Sequence, residues 1–176
     1  RQMCIAQKIF YFHVPSANAM YLGFIVAAVG SAFYLAKRDA RWDALGVAGA
    51  EVGMLFCVAV LVTGPLWARK AWGVYWTWDP RLTTTMLTGM IYLAYLSLRS
   101  LGEAGEPEKR FAAGLAIAGA PMIPLIHYSV QRWRGVHPTV IGKGGGGLEP
   151  RMQVAFLVST VTVLALASLL LLLRYR

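Results

Sequence analysis

The chain of 176 residues is 57% hydrophobic and only 14% charged, whereas soluble domains carry about 25% charge, so an ordinary soluble globule is excluded. Its formal charge of +9 would suggest a nucleic-acid partner in a soluble protein. Lys and Arg cluster instead at the ends of apolar stretches, where membrane flanks place them, and nucleic acid is set aside.

A membrane-spanning helix needs ~20 mostly apolar residues, and five stretches qualify: 16–36, 44–67, 82–98, 111–128 and 152–173. The predicted fold is all-α, a polytopic transmembrane helix bundle forming one membrane domain over 1–176. Residues 1–12 are mixed and aromatic, an interfacial lead-in where amphipathic rings favour the headgroup layer. Pro15 then stands where the first helix can begin, since a first turn does not need its missing N–H. A short charged connection, KRDARWD, leads into the second span, which carries Glu51 with no evident partner. Such a carboxylate is expected to be protonated or bonded to a neighbouring helix. The Trp-rich loop 67–81 follows, and the next connection, RSLGEAGEPEKR, is a plain solvated loop. Pro121 and Pro124 interrupt the fourth span and should kink it, opening a cavity ahead of His127. The second long loop, 131–150, contains GKGGGG, without the strand or the Ser or Thr of a phosphate loop. Cys4 and Cys57 form neither a CxxC pair nor a disulfide framework and read as structural. Because the chain starts at Arg1 instead of Met, it reads as a fragment, with a sixth span expected upstream.

Counting crossings puts the lead-in, the Trp-rich loop and 131–150 on one membrane face, A. The connections KRDARWD and RSLGEAGEPEKR and the C-terminal RYR lie on the other, B. Lys and Arg divide almost evenly between the two, so the positive-inside rule leaves orientation nearly open. If some face A cations bind a ligand, the remaining bias favours face B as cytoplasmic.

The three histidines, His13, His127 and His137, all fall on or near face A. A single membrane histidine is more often a hydrogen-bonded packing residue than a ligand. Ionisable groups at membrane depth are nonetheless costly and tend to be functional, and histidine is the commonest metal ligand. Zinc wants three or four protein ligands, and no Cys or carboxylate stands at a matching spacing. Two histidines converging from distant positions suit one iron held axially, as in haem, which also needs an apolar surface and cations for its propionates. The segment WGVYWTWDPRLT, 72–83, supplies aromatic surface: Trp72, Trp76 and Trp78 share one side if it is extended, and Trp72 and Trp76 still align if it is helical. The plainer alternative is an interfacial belt, but belt residues scatter over all loops and these are packed into one. Asp79 reads first as a helix cap, with Pro80 in the first turn. Arg81 has the wrong sign for a helix N-terminus and reads as a propionate clamp, with Lys8 a second candidate.

WGVYWTWDPRLT resembles the tryptophan-rich signature of haem-handling membrane proteins. FHVP at 12–15, LVTG at 61–64 and PLIHYSVQRW at 124–133 followed by His137 resemble, with it, the CcmC family of cytochrome c maturation, over nearly the whole chain. The resemblance implies six spans, with face A periplasmic in a bacterial inner membrane. It implies haem b held by His13 and His137, with His127 a further family histidine. It also implies that Trp72, Trp76, Trp78 and Asp79 cover the haem and present it to the periplasmic chaperone CcmE, with Arg81 and Lys8 near the propionates. Glu51 is outside the family pattern. The expected partners beyond CcmE are the transporter subunits CcmA and CcmB and the small subunit CcmD.

Haem binding and delivery, with no catalysis of its own, is the function expected. A cytochrome c haem lyase shares the Trp-rich signature, but it must grip an apocytochrome and should carry more periplasmic mass than loops of this length. A transporter or structural subunit would use the aromatics as belt and the histidines as packing, with substrate sites at the midplane.

Overall fold

The computed structural model describes residues 2–100, 105–133, 135 and 148–176. The helices are α1 (Gln2–Lys37), α2 (Ala40–Trp72), α3 (Pro80–Ser100), α4 (Glu106–Gly119), α5 (Met122–Trp133) and α6 (Pro150–Tyr175). Among the described residues there is no strand, and the fold is the all-α bundle expected.

Helices α1 and α2 form the tightest pair. Small residues recur along both at helical spacing, so the backbones approach closely, the arrangement that gives membrane helices their packing energy. A Cβ on Gly23 would lie 2.5 Å from the Cα of Gly53, and one on Gly49 would lie 2.5 Å from the amide nitrogen of Ala27. The reversal between the helices uses Arg38 at φ 56° and Asp39, whose carboxylate accepts the Arg41 N–H at 2.9 Å as an N-cap.

Helix α1 does not begin at Pro15 but runs through it to Gln2, taking in the lead-in expected to be interfacial. A proline inside a helix withholds one donor and crowds the carbonyl four residues back. Pro15 is buried beside Ser16, and packing against the bundle carries the helix past it.

Among the described residues four stretches are long and apolar enough to cross a membrane: Lys8–Lys37, Ala40–Trp72, Glu106–Ser129 and Pro150–Tyr175. The fifth expected span is α3, and its threonines and tyrosines dilute its hydropathy. Their polar atoms are spent inside the bundle: the hydroxyls of Thr84, Thr85 and Thr88 donate back to the carbonyls of Pro80, Arg81 and Thr84 at 2.6–2.7 Å. The buried stripe Thr84, Thr88, Tyr92, Tyr95 faces inward, while Leu87, Met90 and Leu93 are exposed. Polar inside and apolar outside, α3 is a membrane helix by pattern, and at 21 residues it reaches ~31 Å, the thickness of a bilayer core.

Tyr92 sits at the centre, its ring stacked on Phe24 at 3.8 Å. Its hydroxyl lies 3.1 Å from the Phe24 carbonyl and 3.0 Å from that of Ala116, joining α1, α3 and α4. At the face B end Arg99 bonds Asp43 at 2.5 Å and the Tyr34 hydroxyl donates to Glu106 at 2.9 Å. Glu51, for which the sequence offers no partner, accepts the guanidinium of Arg174 on α6 through both oxygens. The expected kink appears as a break: Ala120 N–H bonds the carbonyl three back, of Ile117, at 3.2 Å, and Ile123 N–H that of Ala120 at 3.1 Å. This tightened turn ends α4 before Pro121 and starts α5.

Candidate functional site

Helix α2 continues past the expected end at residue 67 to Trp72, where Gly73 stops it in the left-handed conformation, φ 79°. The guanidinium of Arg69 donates to the Gly73 carbonyl and stacks over the Tyr75 ring at 5.6 Å, closing the helix end. The non-helical part of the Trp-rich segment is thus 73–79. Trp76 and Trp78, two apart in this segment, meet edge-on, centroids 5.9 Å apart. Trp72 instead packs edge-on to Trp67 at 5.3 Å, so two indole pairs stand where one run of three was expected. Trp67 was not among the predicted site residues; it stands one helical turn plus one residue before Trp72 and was legible only once α2 was known to extend so far. Trp78 is 75% exposed, a large indole presented to the surroundings.

Asp79 then starts α3. Its carboxylate accepts the Arg81 N–H at 2.8 Å and its carbonyl the Thr83 N–H at 2.9 Å, which is the capping role read from its position. That cap fixes Arg81 on the first turn of α3, pointing toward α5, where it donates to the carbonyl of His127 at 3.2 Å.

His13 faces α2. Its Nδ1 lies 2.8 Å from the hydroxyl of Thr63, and that hydroxyl donates to the carbonyl of Ala59 at 2.7 Å. A Cβ on Gly64 would lie 3.4 Å from His13 Cε1, so the glycine keeps that ring edge uncovered. The LVTG segment therefore meets FHVP across the α1–α2 interface. Thr63 could not be singled out by spacing, because fifty residues separate it from His13.

The polar atoms without a partner are concentrated here. Among the described residues, Ser16 Oγ, Thr77 Oγ1, Arg81 Nε and Thr83 Oγ1 are buried and unbonded; the remaining such atoms belong to Arg99 at the other end. Ser16 stands one turn after His13 on the same face of α1. An unsatisfied buried polar atom costs about 1–3 kcal/mol, so a cluster of them marks where a polar ligand or water belongs.

Other predicted residues are placed differently. Lys8 is exposed and lies about 140° around α1 from His13, so it does not join the histidine. The imidazole of His127 is exposed, edge-on to Tyr128 at 5.2 Å, and only its carbonyl takes part. His137 lies outside the described residues. Among the described residues no group of three or more His, Cys, Asp or Glu side chains is placed to hold a metal ion. Cys57 is buried with a free thiol; a Cβ on Gly89 would lie 3.0 Å from its sulfur.

A family model described as heme exporter protein C matches residues 1–176. The chain belongs to the CcmC family. Relatives named heme exporter protein C include that of Bradyrhizobium diazoefficiens, 33% identical over 156 residues, 88% of this chain and 59% of the relative. Those of Escherichia coli K12 and Rhodobacter capsulatus are each 30% identical, covering 96% and 74% of this chain and 69% and 54% of their own length. The chain thus spans a little over half to about two thirds of these relatives. The matched range includes α1, α2, the Trp-rich segment and the start of α3.

Proposed function

We propose that this chain binds haem b at its face A end and delivers it to the periplasmic chaperone CcmE, as a non-catalytic step of c-type cytochrome biogenesis. The observation that carries the proposal is that His13, held by Thr63, Arg81, bonded to the His127 carbonyl, and two indole pairs all lie toward one end of a membrane bundle. Their chemistry suits an iron porphyrin: an imidazole, a half-buried guanidinium whose Nε has no partner among the described residues, and aromatic surface. Names of relatives point the same way.

In this function His13 and His137 would hold the iron through their imidazole nitrogens. Arg81 offers its free N–H to a propionate, a charge-assisted bond, while its other end stays on the His127 carbonyl. Trp76 and the exposed Trp78 cover the site and form the docking surface for CcmE, with Asp79 holding the loop end in place. Two imidazoles from this chain would shield the iron from other ligands until transfer. Face A is then periplasmic in the bacterial inner membrane, and CcmA, CcmB and CcmD assemble on the same bundle. The test is the absorption spectrum of the purified protein. A bis-histidine Soret and α/β pattern that is lost in both His13→Ala and His137→Ala supports the assignment; a spectrum unchanged in both overturns it.

A further inference from the structure

We propose that Thr63 sets the tautomer of His13, holding the ring proton on Nδ1 and leaving Nε2 with the free electron pair. This deepens, and rests on, the haem-binding function above, because a neutral imidazole binds iron only through a nitrogen that carries no proton.

A threonine hydroxyl has one hydrogen to give and lone pairs to accept with. That hydrogen points at the Ala59 carbonyl, 2.7 Å away and four residues back on α2, the usual back-bond of a helical threonine. The same oxygen lies 2.8 Å from His13 Nδ1. Both bonds exist together only if Nδ1 carries the hydrogen and Thr63 accepts it. In the opposite tautomer Thr63 would turn its hydrogen to Nδ1 and give up its bond to the Ala59 carbonyl, a loss the first arrangement avoids. Gly64, next along α2, adds no side chain against the adjoining Cε1 edge. Thr63 acts through His13 and is a positioning residue, the part that outer partners of metal-bound histidines play.

The test uses the full chain in lipid nanodiscs, first without haem, with 15N-labelled histidine and the His13 signals assigned by difference against His13→Gly. The wild type and Thr63→Ser are expected to show His13 with the proton on Nδ1, and Thr63→Val to show a mixture of tautomers. On titration with haem, Thr63→Val is expected to bind about 10–100-fold more weakly and with a raised midpoint potential, since the lost bond makes the imidazole less basic; Thr63→Ser restores both. A wild-type ring protonated on Nε2 overturns the proposal, as does a Thr63→Val protein with wild-type tautomer, affinity and potential. If His13→Gly binds haem like the wild type, the haem-ligand assignment fails instead, and the haem-free tautomer measurement still decides the role of Thr63.

Discussion

Replacing Gly23 by alanine puts one methyl group into the closest contact of the bundle. The added Cβ would lie 2.5 Å from the Cα of Gly53 and 2.8 Å from the carbonyl oxygen of Gly49, and carbon atoms pack best at about 3.5–4.0 Å. The obstructing atoms are backbone, so no side chain can rotate away and α1 and α2 must separate by roughly 1 Å. Overpacking of this kind costs about 1–3 kcal/mol, and the strain is shared by the His13–Thr63 contact on the same interface. Gly114 is the control, because it is exposed on α4 with nothing within 4 Å of the added Cβ. Unfolding followed by circular dichroism in mixed micelles should show Gly23→Ala destabilised by about 1–3 kcal/mol and Gly114→Ala unchanged or stabilised by up to about 1 kcal/mol through helix propensity. Equal stabilities for the two variants would refute backbone contact between the first two helices.

Tyr92→Phe keeps the ring on Phe24 but loses the hydroxyl shared by the Phe24 and Ala116 carbonyls, and should cost about 1 kcal/mol in the same assay. Asp43→Ala strands a largely buried Arg99 and should cost about 3–5 kcal/mol; adding Arg99→Ala should recover part of that loss, a non-additivity read from a double-mutant cycle. Trp78→Ala removes an indole that is 75% exposed, so thermal stability should not change, whereas the rate of haem capture by added CcmE should fall.

Fold class was legible because apolar length dominates membrane sequences; five spans were expected, whereas among the described residues there are six helices and four stretches long and apolar enough to cross a membrane. The cap at Asp79 was legible too, since a carboxylate before a proline has few other uses. Three features depended on tertiary contacts that local pattern does not carry. Pro15 reads locally as a helix start, but packing on α2 carries α1 through it. Trp72 reads as part of a loop, but a left-handed Gly73 moves the end of α2 one turn further. Glu51 reads as orphaned, and only the placement of α6 brings Arg174 to it. Hydropathy under-reported α3 for a related reason, because the hydroxyls of Thr84, Thr85 and Thr88 are satisfied within their own helix. Within the site, His13 and Arg81 stood out by chemistry, whereas Thr63 is an ordinary residue made significant by what lies opposite it.

Chemical rescue probes the ligand role of His13 most directly. In His13→Gly the imidazole is removed while Thr63, Arg81 and the indole pairs remain, and free imidazole can enter the space left behind. The haem-loaded variant should lose the six-coordinate low-spin spectrum and regain it when imidazole is added. A His13→Gly protein that is low-spin without imidazole would show that the iron takes its nitrogen from elsewhere.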